Sequence, residues 1–189
     1  MDRQTLVKNI VTNIDKGVIV EIGTHEGHFA DHILANTTST LYCVDPYLSY
    51  DEYDDGINAF TGDSLYNKTR EKLVSKYGDR VKFIRKFSVD ALADIPEAID
   101  FLYIDGNHRY TYVTKDLDLY YPKVKPGCFI VGDDAVDTDD SKRNENGDVL
   151  VVWCPGCYGN YGVIKAFREF CAKNSVHGEV IGNQYVLKK

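Results

Sequence analysis

The 189-residue chain contains no apolar run near the ~18 consecutive residues that a membrane helix needs. Its opening, MDRQTLVKNI, lacks the apolar centre of a signal peptide, so a cytoplasmic chain is expected. Positive charge is in deficit: 22 Lys+Arg stand against 29 Asp+Glu, a formal net charge of −7. No basic patch interrupts that surface, so a nucleic-acid partner is not expected. The five cysteines (Cys43, Cys128, Cys154, Cys157 and Cys171) are odd in number and scattered, which disfavours a disulfide framework. Cys154-Pro155-Gly156-Cys157 has zinc or redox spacing, but zinc normally needs a second such pair and none is present. Internal repeats and low-complexity tracts are also missing.

What the chain does have is 43 % apolar residues, enough for one compact domain over 1–189. Leu6, Val7, Ile10, Val11 and Ile14 repeat at helical spacing and predict an opening helix that ends near Gly17. Strands are predicted at 18–20, 40–44, 81–84, 101–104 and 128–131, each a short apolar run suited to burial on both faces. Helical spacing returns at Phe29–Leu34, Tyr66–Tyr77, Val113–Tyr120 and Val163–Phe170. The runs 176–181 and 185–187, separated by Gly182-Asn183, read as a terminal hairpin. Alternating strands and helices indicate an α/β, doubly wound, mostly parallel sheet, in which ligands bind beyond the carboxyl ends of the strands.

The turn after the first strand reads Glu21-Ile22-Gly23-Thr24-His25-Glu26-Gly27. It lacks the middle glycine that brings backbone close to a pyrophosphate in dinucleotide sites. Its two carboxylates would repel such a group by ~1 kcal/mol or more per close pair at an effective dielectric of about 20. S-adenosylmethionine has no phosphate and carries cationic sulfonium and ammonium groups, which an acidic loop favours. The plainer alternative is a βα turn with incidental glycines. Asp45 ends the second strand, where an acidic group commonly accepts ribose hydroxyls, although Asp-Pro is also an ordinary turn signal.

Asp105 follows the fourth predicted strand, and Asp133-Asp134 follow the fifth after Gly132. Neighbouring strands lie ~4.8 Å apart, so these side chains can converge. Carboxylates gathered in that way favour a cation, and an oxygen-only set suits Mg²⁺ or a similar divalent ion. The alternative is that one or two of them cap helices or turns. His108 lies on the same rim and is a candidate general base, or else a hydrogen-bonded structural group. The stretches 46–62 and 135–160 are long enough to act as substrate walls. Tyr47, Tyr50, Tyr53, Trp153, Tyr158 and Tyr161 offer ring faces there, for a ligand or for one another.

Together VEIGTHEGHFA, LYCVDPY, Phe87-Ser88, IDFLYIDGNHRY, VKPGCFIVGDD and YGVIKAFREF resemble the class I S-adenosylmethionine-dependent methyltransferases. The chain is most similar to small metal-dependent O-methyltransferases, of the catechol type and of the macrolide and aminocoumarin sugar-modifying type. That resemblance implies a seven-stranded sheet whose C-terminal strand is antiparallel. It implies that Glu21, Gly23 and Gly27 surround the methionine part of the cofactor, with Thr24 and His25 in the same turn. Asp45 would meet the ribose, and Ser88 with Phe87 the adenine. Asp105, Asp133 and Asp134 match the metal ligands, and His108 falls where catechol-type relatives place a basic group. Sugar-modifying relatives often carry a second Asp where this chain has Asn107, and an amide cannot take a proton. Either His108 is the base, or the metal acidifies the substrate sufficiently, or activity is lost. The expected function is methyl transfer to a hydroxyl of a small-molecule acceptor. The alternatives are a metal-independent N- or protein methyltransferase and a non-catalytic binding module. The opening helix and the aromatic loops offer surfaces for a homodimer.

Overall fold

The computed structural model describes residues 1–48, 50, 62–136, 143–154 and 157–189. Tyr53, Asp137, Asp139 and Asp140 lie outside the described residues, as do the side chains of Trp153, Cys154, Cys157 and Tyr158. The five parallel strands are β1 (Val18–Ile22), β2 (Thr40–Val44), β3 (Val81–Ile84), β4 (Ile99–Ile104) and β5 (Val124–Gly132). A terminal hairpin, β8 (Gly178–Ile181) and β9 (Gln184–Lys188), completes the main sheet. Its seven strands run in the order β3-β2-β1-β4-β5-β9-β8, and β9 is antiparallel to β5. The chain direction across the sheet therefore switches between β1 and β4, the crevice where doubly wound sheets bind ligands.

Period-two alternation sends successive residues to opposite faces. Val20, Ile22, Leu102, Ile104 and Ile130 pack with α5 (Tyr110–Tyr120) and α6 (Val163–Asn174). Ile19, Leu41, Phe101, Tyr103 and Val131 pack on the other face with α1 (Arg3–Val11), α2 (His28–Ala35) and Leu73 of α3 (Gly62–Tyr77). Between β3 and β4 the only α-helix is one turn, α4 (Ser88–Ala91).

Three expectations change. The opening helix stops at Val11 instead of running towards Gly17. Beyond it the Ile14 carbonyl accepts hydrogen bonds from Thr37 and Ser39, and the Gly17 N–H donates to Ser39, which turns the chain into β1. The fourth and fifth strands begin earlier than their most apolar segments, at Ile99 and Val124. Within the stretch read as a substrate loop, β6 (Val149–Cys154) and β7 (Cys157–Tyr161) form a separate antiparallel hairpin. Val149-Leu150-Val151-Val152-Trp153 is strand-forming chemistry that the polar residues around it obscure. Cys43, Cys128 and Cys171 are free thiols. Among the described residues no helix is long and apolar enough to cross a membrane.

Candidate active site

Strand register gathers the site. Ile22 pairs with both Val44 and Ile104, and Ile104 pairs with Gly132. The residues that follow these strands, Gly23, Asp45, Asp105 and Asp133, therefore leave the sheet along one rim. The turn after β1 is held tightly: the Gly23 N–H donates to the Val44 carbonyl at 2.8 Å. Gly23 has φ +89°, and a Cβ there would lie 1.9 Å from the Asp105 carbonyl oxygen. Only glycine permits this approach. Gly27 has a different task, because its Cβ would strike Thr69 and Leu73 of α3; it lets α2 pack against that helix.

Asp45 organises the neighbouring backbone. Its Oδ2 accepts the His25 N–H at 2.9 Å, and its Oδ1 accepts the Tyr47 N–H at 2.7 Å. Burial raises its pKa and these two bonds oppose the rise. Beneath the turn, Glu21 is only 1 % exposed. Neither of its carboxylate oxygens, nor the Thr24 hydroxyl, has a hydrogen-bond partner among the described residues. Burial pushes the Glu21 pKa up to about 8; the Thr24 side chain opposes this, and Asp105 and Asp45 add to it.

The cleft above encloses about 900 Å³ of empty space, the solvent at its open mouth included. Gly23, His25, Asp45, Phe87, Ser88 and Asp105 line it, as do Tyr47, Tyr50, Asn107, Tyr112 and Asp116. Glu21, Thr24 and Gly27 lie outside that lining. The Asn107 amide donates to the Tyr50 hydroxyl at 3.2 Å and accepts the Arg109 N–H at 2.9 Å, so it shapes the wall and the start of α5.

At the far end of the row, ligand atoms of Asp105, His108 and Asp134 lie within 4.8 Å of one another. His108 Nδ1 is 2.9 Å from Asp134 Oδ2, and its ring stacks on Tyr161 with centroids 4.8 Å apart. Asp133, expected beside them, has a different set of contacts. Its carboxylate accepts from Arg3, Tyr103, Gln184 and the Asp134 N–H. Arg3 also reaches Asp105 Oδ2 at 3.1 Å, and its guanidinium lies 4.6 Å from the centroid of the Phe29 ring. Burial and the facing Asp133 push the Asp105 pKa up to about 7, with His108 and Arg3 opposing. Arg3 and Asp116 escaped the sequence reading. Asp116 carries a visible signal, a charge inside the buried stripe of Val113, Leu117 and Tyr120. Arg3 carries none, because its partners lie 102 and 130 residues away.

Similarity to known proteins converges on the same fold. The uncharacterized protein R132 of Acanthamoeba polyphaga mimivirus is 30 % identical over 140 residues, 70 % of this chain and 58 % of that one. The chain thus spans less than two thirds of that relative's length. The O-methyltransferase NovP superposes with a TM-score of 0.67 at 20 % identity, covering 99 % of this chain and 79 % of that chain. Precorrin-6y C5,15-methyltransferase of Geobacter metallireducens gives 0.64 at 12 % identity, with 98 % and 87 % covered. Residues 20–135, from β1 to the residue after Asp134, match the methyltransferase domain family. The chain belongs to that family and has the class I S-adenosylmethionine-dependent methyltransferase fold.

Proposed function

We propose that the chain transfers a methyl group from S-adenosylmethionine to a hydroxyl of a small molecule. The observation that carries this reading is one row of side chains. A cleft lined by Asp45, Phe87 and Ser88 runs to the Asp105–His108–Asp134 convergence. The residues fit the cofactor: Glu21 keeps two carboxylate oxygens unpaired beneath the Gly23 turn, which suits an ammonium group. When bound, S-adenosylmethionine supplies an electrophilic methyl on a sulfonium. Glu21 would anchor the amino-acid end, Asp45 the ribose, and Phe87 with Ser88 the base. Gly23, His25 and Thr24 would shape the turn around it.

The Asp105 and Asp134 carboxylates, with ligand atoms within 4.8 Å of each other, also fit a divalent cation such as Mg²⁺. Asp105 and Asp134 would hold it, with Asp133 adjoining, and the ion would supply a Lewis acid that lowers the acceptor's pKa. His108 would take the acceptor proton at Nε2, since its Nδ1 faces Asp134, which orients the ring. The stacked Tyr161 holds that orientation. Aligning the two reactants would then supply much of the rate.

One observation favours a second reading, transfer without metal: Arg3 already places a positive charge against Asp105 and Asp133. Calorimetric titration of chelator-washed protein with S-adenosylhomocysteine tests the cofactor, and a methyl-transfer assay with sugars and catechols in EDTA or Mg²⁺ tests the rest. Micromolar binding with Mg²⁺-dependent turnover supports the first reading. Turnover unchanged by EDTA supports the second, and no binding refutes both.

A further inference from the structure

The β6–β7 hairpin lies outside residues 20–135, the part of the chain that matches the methyltransferase family, whereas His108 lies inside it. Both strands of the hairpin nevertheless end on the segment that carries His108. Val149 of β6 pairs with Tyr161 of β7, so Asp148 and Gly162 flank the rung at the hairpin's base. On one side, the Gly162 N–H donates to the His108 carbonyl at 2.8 Å. A Cβ on Gly162 would lie 2.4 Å from the Tyr110 nitrogen, so the two backbones touch. On the other, Asp148, only 3 % exposed, accepts the Tyr110 N–H on Oδ1 at 2.6 Å.

That last bond is a helix cap supplied from a distance. Tyr110 opens α5, and the first N–H groups of a helix need acceptors from outside it. Arg109, at the N-cap position, makes no capping bond with its side chain, so Asp148 does this from 38 residues away. A carboxylate there also complements the helix dipole. Asp148 is braced in turn, because its N–H donates to Asn144 Oδ1 at 3.0 Å and its carbonyl accepts the Asn144 N–H at 2.8 Å.

The imidazole of His108 sits inside this clamp. Its ring lies parallel to the Tyr161 ring to within 3°, and its Nδ1 is 2.9 Å from Asp134 Oδ2. A contact with Asp134 fixes one atom of the ring, and a stacked face fixes its plane as well. With Nδ1–H donating to the carboxylate, the neutral ring carries its lone pair on Nε2. We infer that the hairpin sets the imidazole for proton transfer, with Asp148 and Tyr161 as positioning residues that hold His108 in its Nδ1–H tautomer. This rests on the reading of His108 as the base.

The test is nitrogen NMR of the His108 ring in chelator-washed, histidine-labelled protein at alkaline pH, with the signals assigned by their loss in His108→Asn. Wild-type protein should show a protonated Nδ1 and an unprotonated Nε2. Tyr161→Leu and Asp148→Ala, each checked for folding by circular dichroism, should bring the two signals together as the tautomers mix. Tyr161→Phe keeps the stacked ring and Asp148→Asn keeps an acceptor oxygen, so both should retain the wild-type pattern. A wild-type ring with Nε2 protonated, or with averaged signals, overturns the inference. A wild-type pattern in folded Tyr161→Leu and Asp148→Ala also overturns it, since both residues would then serve stability alone. Methyl transfer retained by His108→Asn refutes the base reading instead, whatever the ring signals show.

Discussion

Replacing Glu21 with Gln should stabilise the ligand-free protein and weaken its hold on the cofactor. The folded protein pushes this carboxyl from 4.5 to about 8. An acid raised in this way contributes stability that is full below its ordinary range and is lost as pH rises towards the folded value. At 1.36 kcal/mol per pH unit the full loss is ~5 kcal/mol, reached above about pH 9. The part accrued is ~1 kcal/mol at pH 5, ~3 at pH 7 and ~4 at pH 8. Glutamine has nearly the same shape and does not titrate, so the variant escapes this loss. Asp116, raised to about 7, acts in the same direction in both proteins and cancels in the comparison, whereas Asp105 repels Glu21, so the variant also loses that repulsion and the difference moves the same way. Urea unfolding of wild-type and Glu21→Gln protein between pH 5 and pH 8 reads the difference, which should grow in favour of the variant by ~3 kcal/mol. At pH 7 the variant should melt ~6–12 °C higher, at 2–4 °C per kcal/mol for a chain of this size. The same substitution should weaken S-adenosylhomocysteine about 10- to 100-fold, the worth of a hydrogen bond to a charged group. A stability difference that stays flat across this pH range refutes the reasoning. So does an unchanged affinity.

Gly23→Ala should lower the unfolding free energy by ~3 kcal/mol or more, since a Cβ at φ +89° would sit 1.9 Å from the Asp105 carbonyl oxygen; denaturant titration measures it, and a loss below 1 kcal/mol would contradict this geometry. Arg3→Gln should cost ~1 kcal/mol of stability, because the guanidinium is 39 % exposed and screened. It should also enlarge the rise in melting temperature produced by Mg²⁺, since the freed Asp105 and Asp133 carboxylates then depend on the added ion; Mg²⁺ without effect on either protein would argue against a cation site. Asp105→Asn should abolish Mg²⁺ binding by calorimetry and reduce metal-dependent turnover by at least about 100-fold. Retained Mg²⁺ binding would place the ion elsewhere.

The parallel strands could be read from the sequence because each is a short apolar run buried on both faces, the pattern that parallel packing imposes. The rim could be read for the same reason: Gly23, Asp45, Asp105 and Asp133 each follow a strand directly, and register does the rest. What adjacency could not show is which of two consecutive carboxylates lies beside His108. Asp134 takes φ +56°, which bends the chain away from strand geometry and leaves Asp134, not Asp133, beside His108. Gln184 and Arg3, which hold Asp133, come from the last strand and the first helix, and no local pattern marks them. The β6–β7 hairpin was hidden by the polar residues on either side of a strand-forming run.

The charge balance of the rim connects these observations. Asp45, Asp105 and Asp116 line one cleft, Glu21 interacts with Asp45 and Asp105, and Asp133 and Asp134 interact with Asp105. Two like charges 4 Å apart repel by ~4 kcal/mol at an effective dielectric of 20, so such a group cannot stay fully ionised without cations. Arg3 supplies one positive charge, and the raised pKa values of Glu21 and Asp105 let protons relieve part of the remainder. A cationic ligand relieves more, because it lets these carboxyls ionise while giving them partners. The ligand-free fold therefore carries an unfavourable electrostatic load that a sulfonium, an ammonium or a divalent ion offsets. A phosphate-bearing nucleotide would add to it.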